Sequence, residues 1–507
     1  MSNNSYGTIL KSSSLIGGSK VINYGIGLLR TKVVAVLLGP AGVGLVGVYA
    51  AILSLAETIS GLGLRTSGVR EIANARSQAD DELLGQLQLA IRRLAILLGV
   101  LGAIFLALAA PYVSRLSFGD QGAGLAIAVL ALVLILKAVN VSQSVSIQGF
   151  RRIGSLARIS VVSSLITTAV VIGLYAVLGE AGIIPALIAM ALVSVLVSWR
   201  VAKKLQIRPD DAAWATSYRH AKRLMGMGVA IAYGSLLFHL TPFIARSLIV
   251  REMGLDANGI YMAAWAISGL FAQFILSAMA ADYFPRLSEV SDQSETMNRC
   301  VNEQTEIGIL AALPGILAVT AFAPLVIQVL YTSKFAPAAD LLPWFLLGVF
   351  GRVVNWPMGM VVLAKGDTKT FALIQTFSVS VNLCLIYMCF SLWGLLGAAI
   401  AFGLHNTLYC PAIYAFLKRR YGLRWSAEVK YLLLVFLLFL AALSCLRIIT
   451  DSELIYYGLS SFLIGVSCLF CSRQLYRRMS DHPKFSKVIM RLPALLRRIL
   501  IGSLESK

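Results

Sequence analysis

Leu10-Lys-Ser-Ser-Ser-Leu-Ile-Gly-Gly-Ser-Lys-Val-Ile-Asn-Tyr-Gly-Ile-Gly-Leu-Leu-Arg-Thr-Lys-Val-Val-Ala-Val-Leu-Leu38 decides the class of this protein. It is long and apolar enough to cross a bilayer, which takes roughly 20 residues. Lys20 and Arg30 nevertheless sit inside it. Lys20, Asn23, Gly27 and Arg30 recur at helical spacing and share one face. A cation at bilayer depth costs roughly 3 kcal/mol on insertion scales. A helix keeps such a stripe when it faces water, a partner charge or an anionic ligand. Snorkelling to the headgroups is the competing account, open to Lys32 and Arg30 and harder for Lys20 nearer the middle.

The rest of the chain agrees with a membrane setting. Its 507 residues are 58% hydrophobic and 13% charged, with a mean hydropathy of +0.80. That composition excludes an ordinary soluble domain. We count fourteen apolar segments of spanning length, near 12–38, 41–64, 91–113, 122–147, 157–178, 181–200, 224–249, 257–283, 306–331, 338–364, 370–391, 394–417, 430–449 and 455–472. The expected fold class is an all-α polytopic membrane protein. Residues 1–14 carry no cleavable signal pattern, so the first apolar helix is expected to stay. The seven cysteines fall mostly in apolar runs, which argues against disulfides, and Cys468-x-x-Cys471 lies within a membrane helix, where filler is the plain reading.

The net charge of +20 follows from topology. Numbered from a cytoplasmic N-terminus, one side of the membrane and the C-terminal stretch hold 33 Lys and Arg, the other side only Arg115, Arg251 and Lys334. The positive-inside rule then puts both termini in the cytoplasm, and no nucleic-acid partner is expected. Beyond Arg473, residues Val488, Ile489, Leu492, Leu495, Leu496, Ile499 and Leu500 recur at helical spacing among basic residues. That pattern predicts a basic amphipathic helix on the anionic inner leaflet.

The sequence also repeats itself. Gly39-x4-Gly44 matches Gly254-x4-Gly259 at an offset of 215, Arg70 matches Arg286 at 216, Pro111 matches Pro324 at 213, and Gly182-Ile-Ile-Pro-Ala matches Gly394-Leu-Leu-Gly-Ala at 212. A six-span unit, duplicated, gives two halves in the same orientation about an axis along the membrane normal. The expected division is an N-lobe at 1–223, a C-lobe at 224–425, two extra spans at 426–473 and a tail at 474–507. On this offset Arg30 maps to Arg246, Lys137 to Arg352 and Asn140 to Asn355.

Two matching cations and a matching asparagine suggest one cationic cleft between the lobes. Its candidate anion-binding residues are Lys20, Arg30, Lys137, Arg246 and Arg352. Arg forks suit a diphosphate. Its candidate polar or coupling residues are Asn23, Glu57, Asn140, His239 and Asn355. Glu57 either pairs with Lys20 or Arg30 in the empty cleft, the preferred reading, or carries a coupling proton or cation. His239 is either a proton switch or an ordinary hydrogen-bonded histidine. No phosphate-cradling loop, metal-ligand cluster or sizeable outer loop stands in the sequence, so neither enzyme nor cofactor is expected; coupling to H+ or Na+ stays open.

Leu37-Leu-Gly-Pro-Ala-Gly-Val-Gly44, Gln148-Gly-Phe-Arg-Arg152, Phe284-Pro-Arg-Leu287 and Phe335-Ala-Pro-Ala-Ala-Asp-Leu-Leu342 resemble motifs of the polysaccharide flippases. These form part of the multidrug/oligosaccharidyl-lipid/polysaccharide exporter superfamily. The resemblance covers spans one to twelve. It implies a V of two six-helix lobes and movement of undecaprenyl-diphosphate-linked oligosaccharide, of the O-antigen type, across a bacterial inner membrane. Two further spans are a trait of the related lipid II flippases, in which they form a groove for the lipid tail, and Arg30 and Arg246 resemble those relatives' basic residues in placement. The resemblance implies membrane lipids and glycan polymerase or ligase machinery as partners. Rival readings are a cation-coupled drug antiporter, a lipid II flippase, a glycan polymerase or ligase, and a nontransporting scaffold.

Overall fold

The computed structural model describes residues 3–207 and 213–479, the side chains of residues 3–16, 227, 230–231, 278 and 281–282 excepted. The amphipathic helix expected over residues 488–500 lies outside the described residues. Among the described residues the regular elements are helices, with no strand. They are α1 (Asn3–Gly61), α2 (Leu64–Ser77), α3 (Asp81–Phe118), α4 (Gly124–Gly149), α5 (Ile153–Leu178), α6 (Ile183–Lys203), α7 (Trp214–Glu289), α8 (Ser294–Ala321), α9 (Ala323–Leu330), α10 (Ala338–Ala364), α11 (Thr368–Tyr421), α12 (Ala427–Ile449) and α13 (Glu453–Met479).

Ten stretches are long and apolar enough to span, four of them about twice the length of one crossing. Each long stretch is broken by a glycine of positive φ. Gly39 (φ 64°, ψ −169°) divides α1, Gly254 (φ 85°, ψ 179°) divides α7, and Gly394 (φ 56°, ψ −132°) divides α11. Gly179 (φ 56°, ψ −134°) separates α5 from α6. Counting both halves of each restores the fourteen spans expected from hydropathy.

These four breaks show the internal repeat in the backbone itself. Gly39 and Gly254 share one conformation, Gly179 and Gly394 another, and both pairs lie 215 residues apart. A side chain at these dihedrals is strained, which leaves glycine. The second pair corrects the sequence alignment, which matched Gly182 to Gly394 at 212. Gly182 and Gly397 are the equivalents: each approaches the carbonyl oxygen eight residues earlier, that of Leu174 and that of Cys389. The register also separates Arg30 from Arg246. At 215 the counterpart of Arg30 is Ala245, one residue off and so about 100° away around the helix. Lys137 with Arg352 and Asn140 with Asn355 keep the register.

The described chain forms two compact units. One runs to Met262 and adds Gln328–Phe335; the other holds Ala263–Ile327 and the residues from Ala336 on. The outer surface is apolar, as a bilayer requires, with Leu125 80% and Val177 83% exposed.

In the first unit the two repeats meet at equivalent glycines. A Cβ on Gly44 would stand 2.1 Å from the Leu255 carbonyl oxygen, and one on Gly259 would stand 1.9 Å from that of Pro40. Asn258 Nδ2 donates to the Gly44 carbonyl at 2.7 Å. Small residues let the backbones approach, and the amide fixes the crossing.

The second unit explains the attachment of the two extra spans. Asn298, Asn302 and Glu306 follow i, i+4, i+8 on α8, one stripe of one face. Asn298 Oδ1 accepts from Arg424 N at 3.1 Å, and Asn302 Oδ1 from Ser426 N at 3.0 Å. Glu306 accepts from Ser426 Oγ at 3.1 Å and from Arg478 Nε at 2.7 Å. Leu432, Phe436, Leu443 and Tyr456 of α12 and α13 are buried in the same core as α8. The stripe thus clamps both ends of the α12–α13 pair. Glu306 is buried, so removing its cation leaves an uncompensated charge, a loss of about 3 kcal/mol or more. Arg478→Ala should lower the detergent thermal midpoint clearly, and Arg478→Ala with Glu306→Gln should recover part of the loss. Equal midpoints for Arg478→Ala and wild type would show that the clamp carries no stability.

His220, ahead of the apolar part of α7, lies 3.3 Å from Gln86 Oε1 by its Nε2. Burial first, then Arg219 and Arg223, pulls its pKa below the ordinary imidazole value, against an opposing pull from Glu71. The unfolded chain therefore takes the proton more readily, and the folded protein loses stability as pH falls through about 6.5. The thermal midpoint should decline between about pH 7.5 and 5.5, and decline less in His220→Gln.

Candidate functional site

The first unit holds an ion pair between two spans. Lys137 Nζ of α4 stands 2.6 Å from Glu57 Oε2 of α1, with side chains 35% and 40% exposed. They face a cavity of about 350 Å³, walled also by Ser54, Arg65, Ser144 and Ser194. His239 feels the charges of Glu57, Lys137 and Arg246. Four of the sequence candidates are therefore neighbours in one unit. Glu57 pairs with Lys137, and not with Lys20 or Arg30 as the sequence suggested. The second half of α1 packs on α4, and Lys20 and Arg30 belong to the first half, beyond the break at Gly39.

Arg30 is half-buried with Tyr175 of α5 as its electrostatic neighbour. Asn23 Nδ2 donates to Ser160 Oγ of α5 at 2.8 Å. Lys20 is exposed. The polar stripe of the first span thus lies along α5. Lys32 donates to the carbonyls of Gln328 (2.9 Å) and Tyr331, at the C-terminal end of α9. A cation there satisfies orphan carbonyls and complements the helix dipole.

Arg246 is buried, 9% exposed, and donates to the Gly47 carbonyl at 3.0 Å. Its Nε has no hydrogen-bond partner among the described residues. Asn140 Nδ2 donates to Ser194 O and Ser198 Oγ of α6, both at 3.0 Å. Asn355 Nδ2 donates to Asn406 O in the second half of α11 at 2.9 Å. The two repeat-related amides tie equivalent helices together. In the second unit Arg352 acts on His405, whose Nε2 lies 3.2 Å from Ser378 Oγ.

Arg65 is not among the sequence candidates for the site. Leu62 (φ 42°) and Gly63 (φ 66°) turn the chain sharply, and Arg65 at the start of α2 comes back to the cavity wall. The Gly61-Leu62-Gly63 sequence was the available signal.

A family model described as polysaccharide biosynthesis protein matches residues 33–340, more than half of the 507 residues. The chain belongs to that family. A second model, lipid II flippase MurJ, matches residues 254–467 and so takes in α12 and part of α13. The lipid III flippase of Escherichia coli (strain K12) is 24% identical over 429 residues, covering 82% of this chain and 100% of the relative. A putative O-antigen transporter of Shigella flexneri is 25% identical over 378 residues, covering 73% and 88%. The solved inward closed structure of lipid II flippase MurJ has a TM-score of 0.63 at 16% identity, covering 92% of this chain and 100% of that one. The membership places the chain among the polysaccharide flippases of the multidrug/oligosaccharidyl-lipid/polysaccharide exporter superfamily, a group of multi-pass transporters and not of catalysts. At that level its function is the flipping of a lipid-linked precursor.

Proposed function

We propose that the protein flips undecaprenyl-diphosphate-linked oligosaccharide of the O-antigen type from the cytoplasmic to the periplasmic leaflet of a bacterial inner membrane. Alternating access of the two repeat lobes carries the headgroup while the polyprenyl tail stays in lipid. Both termini lie in the cytoplasm, as the asymmetry of Lys and Arg requires. The observation that carries the reading is the half-exposed Lys137–Glu57 pair on a cavity that also holds Arg65 and serine hydroxyls. Glu57 neutralises Lys137 while the cavity is empty. An arriving diphosphate competes for the cation, and Glu57, once displaced, takes up a proton or Na+. Arg30, Arg246 and Arg352 add positive potential along the route. Glycan polymerase and ligase machinery receives the product.

The test is reconstitution of the full chain with a fluorescent polyprenyl-diphosphate oligosaccharide, followed by access of an external glycan-cleaving enzyme. Protein-dependent movement, lost in Arg30→Glu, is expected. Movement of cationic drugs without the lipid would overturn the reading in favour of an antiporter, and movement of neither would overturn transport of this substrate.

A further inference from the structure

A second cavity, larger than the first, opens between α3, α4 and α6 at the end of the first unit where Lys and Arg crowd. Its volume is about 680 Å³. It shares no residue with the Glu57–Lys137 cavity. Its walls divide by chemistry. Ile96, Val139 and Leu196 line the part toward the middle of the spans, and Lys203 and Gln206 the part toward the loops, with Arg92 on α3 one turn loop-side of Ile96.

The polar end is built, not incidental. Gln88 holds the end of α6 in place: its Nε2 donates to Leu205 O and its Oε1 accepts from Ile207 N, both at 3.0 Å. Gln143 Oε1 accepts from Ser198 Oγ across the α4–α6 wall. Lys203 Nζ lies 5.1 Å from the centre of the Trp199 ring. Trp199 is 50% exposed at the rim, the level at which indoles settle between headgroups and chains. Arg92 is exposed and has no hydrogen bond or ion pair among the described residues. Two cations without a carboxylate partner among the described residues therefore stand over an apolar slot between spans.

We propose that this cavity binds an anionic phospholipid of the surrounding bilayer. Arg92 and Lys203 hold the phosphate, Gln206 reaches the rest of the headgroup, and an acyl chain lies along Ile96, Val139 and Leu196. Charge complementarity selects the occupant: the leaflet on this side, in the orientation proposed above, is the anionic one. Phosphate presented at the mouth of an apolar slot between spans is what that surface fits.

The experiment uses the full chain purified in detergent, loaded with equal phosphatidylglycerol and phosphatidylcholine, then stripped and analysed by lipid mass spectrometry. Wild type should retain phosphatidylglycerol preferentially. Arg92→Gln with Lys203→Gln should lower that preference by about tenfold or more. Ala202→Phe, which fills the cavity and keeps both cations, should lower it as well. Arg200→Gln with Lys204→Gln, exposed cations outside the lining, should leave it unchanged. Equal retention of both lipids by wild type would overturn the site. So would an equal fall in the Arg200/Lys204 variant, which would mark a general surface attraction. Elution and helical content establish that each variant is folded. No glycan transport enters the readout, so failure here is separate from failure of the flippase reading.

Discussion

Lys137→Gln should reduce surface glycan, in a strain whose own flippase is deleted, by tenfold or more, about 1.4 kcal/mol of lost interaction, with normal amounts of protein in the membrane. The residue is one half of the ion pair on the cavity and keeps a third of its side chain open to it. An exposed surface pair is worth little, but a cation meeting a diphosphate in a partly enclosed cavity makes charge-assisted hydrogen bonds of about twice the ordinary strength. Lys137→Arg, which keeps the charge, should retain most of the transport. Glu57→Gln should lose less than Lys137→Gln, because it leaves the cation and the substrate itself supplies the counter-charge. It should also flatten any dependence of transport on pH or Na+, if the freed carboxylate is the coupling group. Full transport by Lys137→Gln would remove this residue from the diphosphate site. Equal losses in Lys137→Gln and Glu57→Gln would mean the pair matters as a strut.

Gly259→Val should all but abolish folded protein. Its Cβ would enter the Pro40 carbonyl at 1.9 Å, and the next atoms met, Pro40 C at 2.6 Å and Cα at 2.9 Å, are backbone too. No rotamer relieves a clash with main chain, so the two spans must part. Overpacking against side chains costs about 1–3 kcal/mol; here the Asn258–Gly44 hydrogen bond at 2.7 Å is lost as well. Gly44→Val should behave alike, since Gly44 is the repeat partner and meets Leu255 O at 2.1 Å. Gly269→Ala, on the same helix with nothing within 4 Å of its Cβ, is the harmless comparison. Fluorescence-detected size-exclusion reads all three. A monodisperse Gly259→Val peak with a wild-type midpoint would show that the contact is not held in the folded protein.

Fourteen spans, the doubled six-span unit and the family were legible in the residues because their causes are local. A bilayer admits only long apolar helices, whatever they later pack against. A glycine that must take positive φ is marked in the sequence, and Gly39 and Gly254 stand 215 residues apart in sequence and structure alike. The same rule made Lys137 and Arg352, Asn140 and Asn355 recognisable as pairs.

Which charge meets which was decided only by tertiary structure. Glu57 and Lys137 are 80 residues apart, and nothing in the periodicity of α1 favours α4 over the polar stripe of its own first half. The match of Arg30 to Arg246 looked sound by offset, yet one residue of slip turns a helical side chain by about 100°. Arg246 then settles on the Gly47 carbonyl, and Arg30 beside Tyr175. Asn140 lines the Glu57–Lys137 cavity and also ties α4 to α6, and Asn355 ties α10 to α11, contacts that no spacing in the sequence announces. Asn298, Asn302 and Glu306 are not among the sequence candidates, yet they clamp α12 and α13. Hydropathy fixes that a segment enters the membrane and about where it leaves. The rotation of each helix, and so the partner of each polar side chain, is set by packing against neighbours distant in the chain, and that packing exists only in the folded protein.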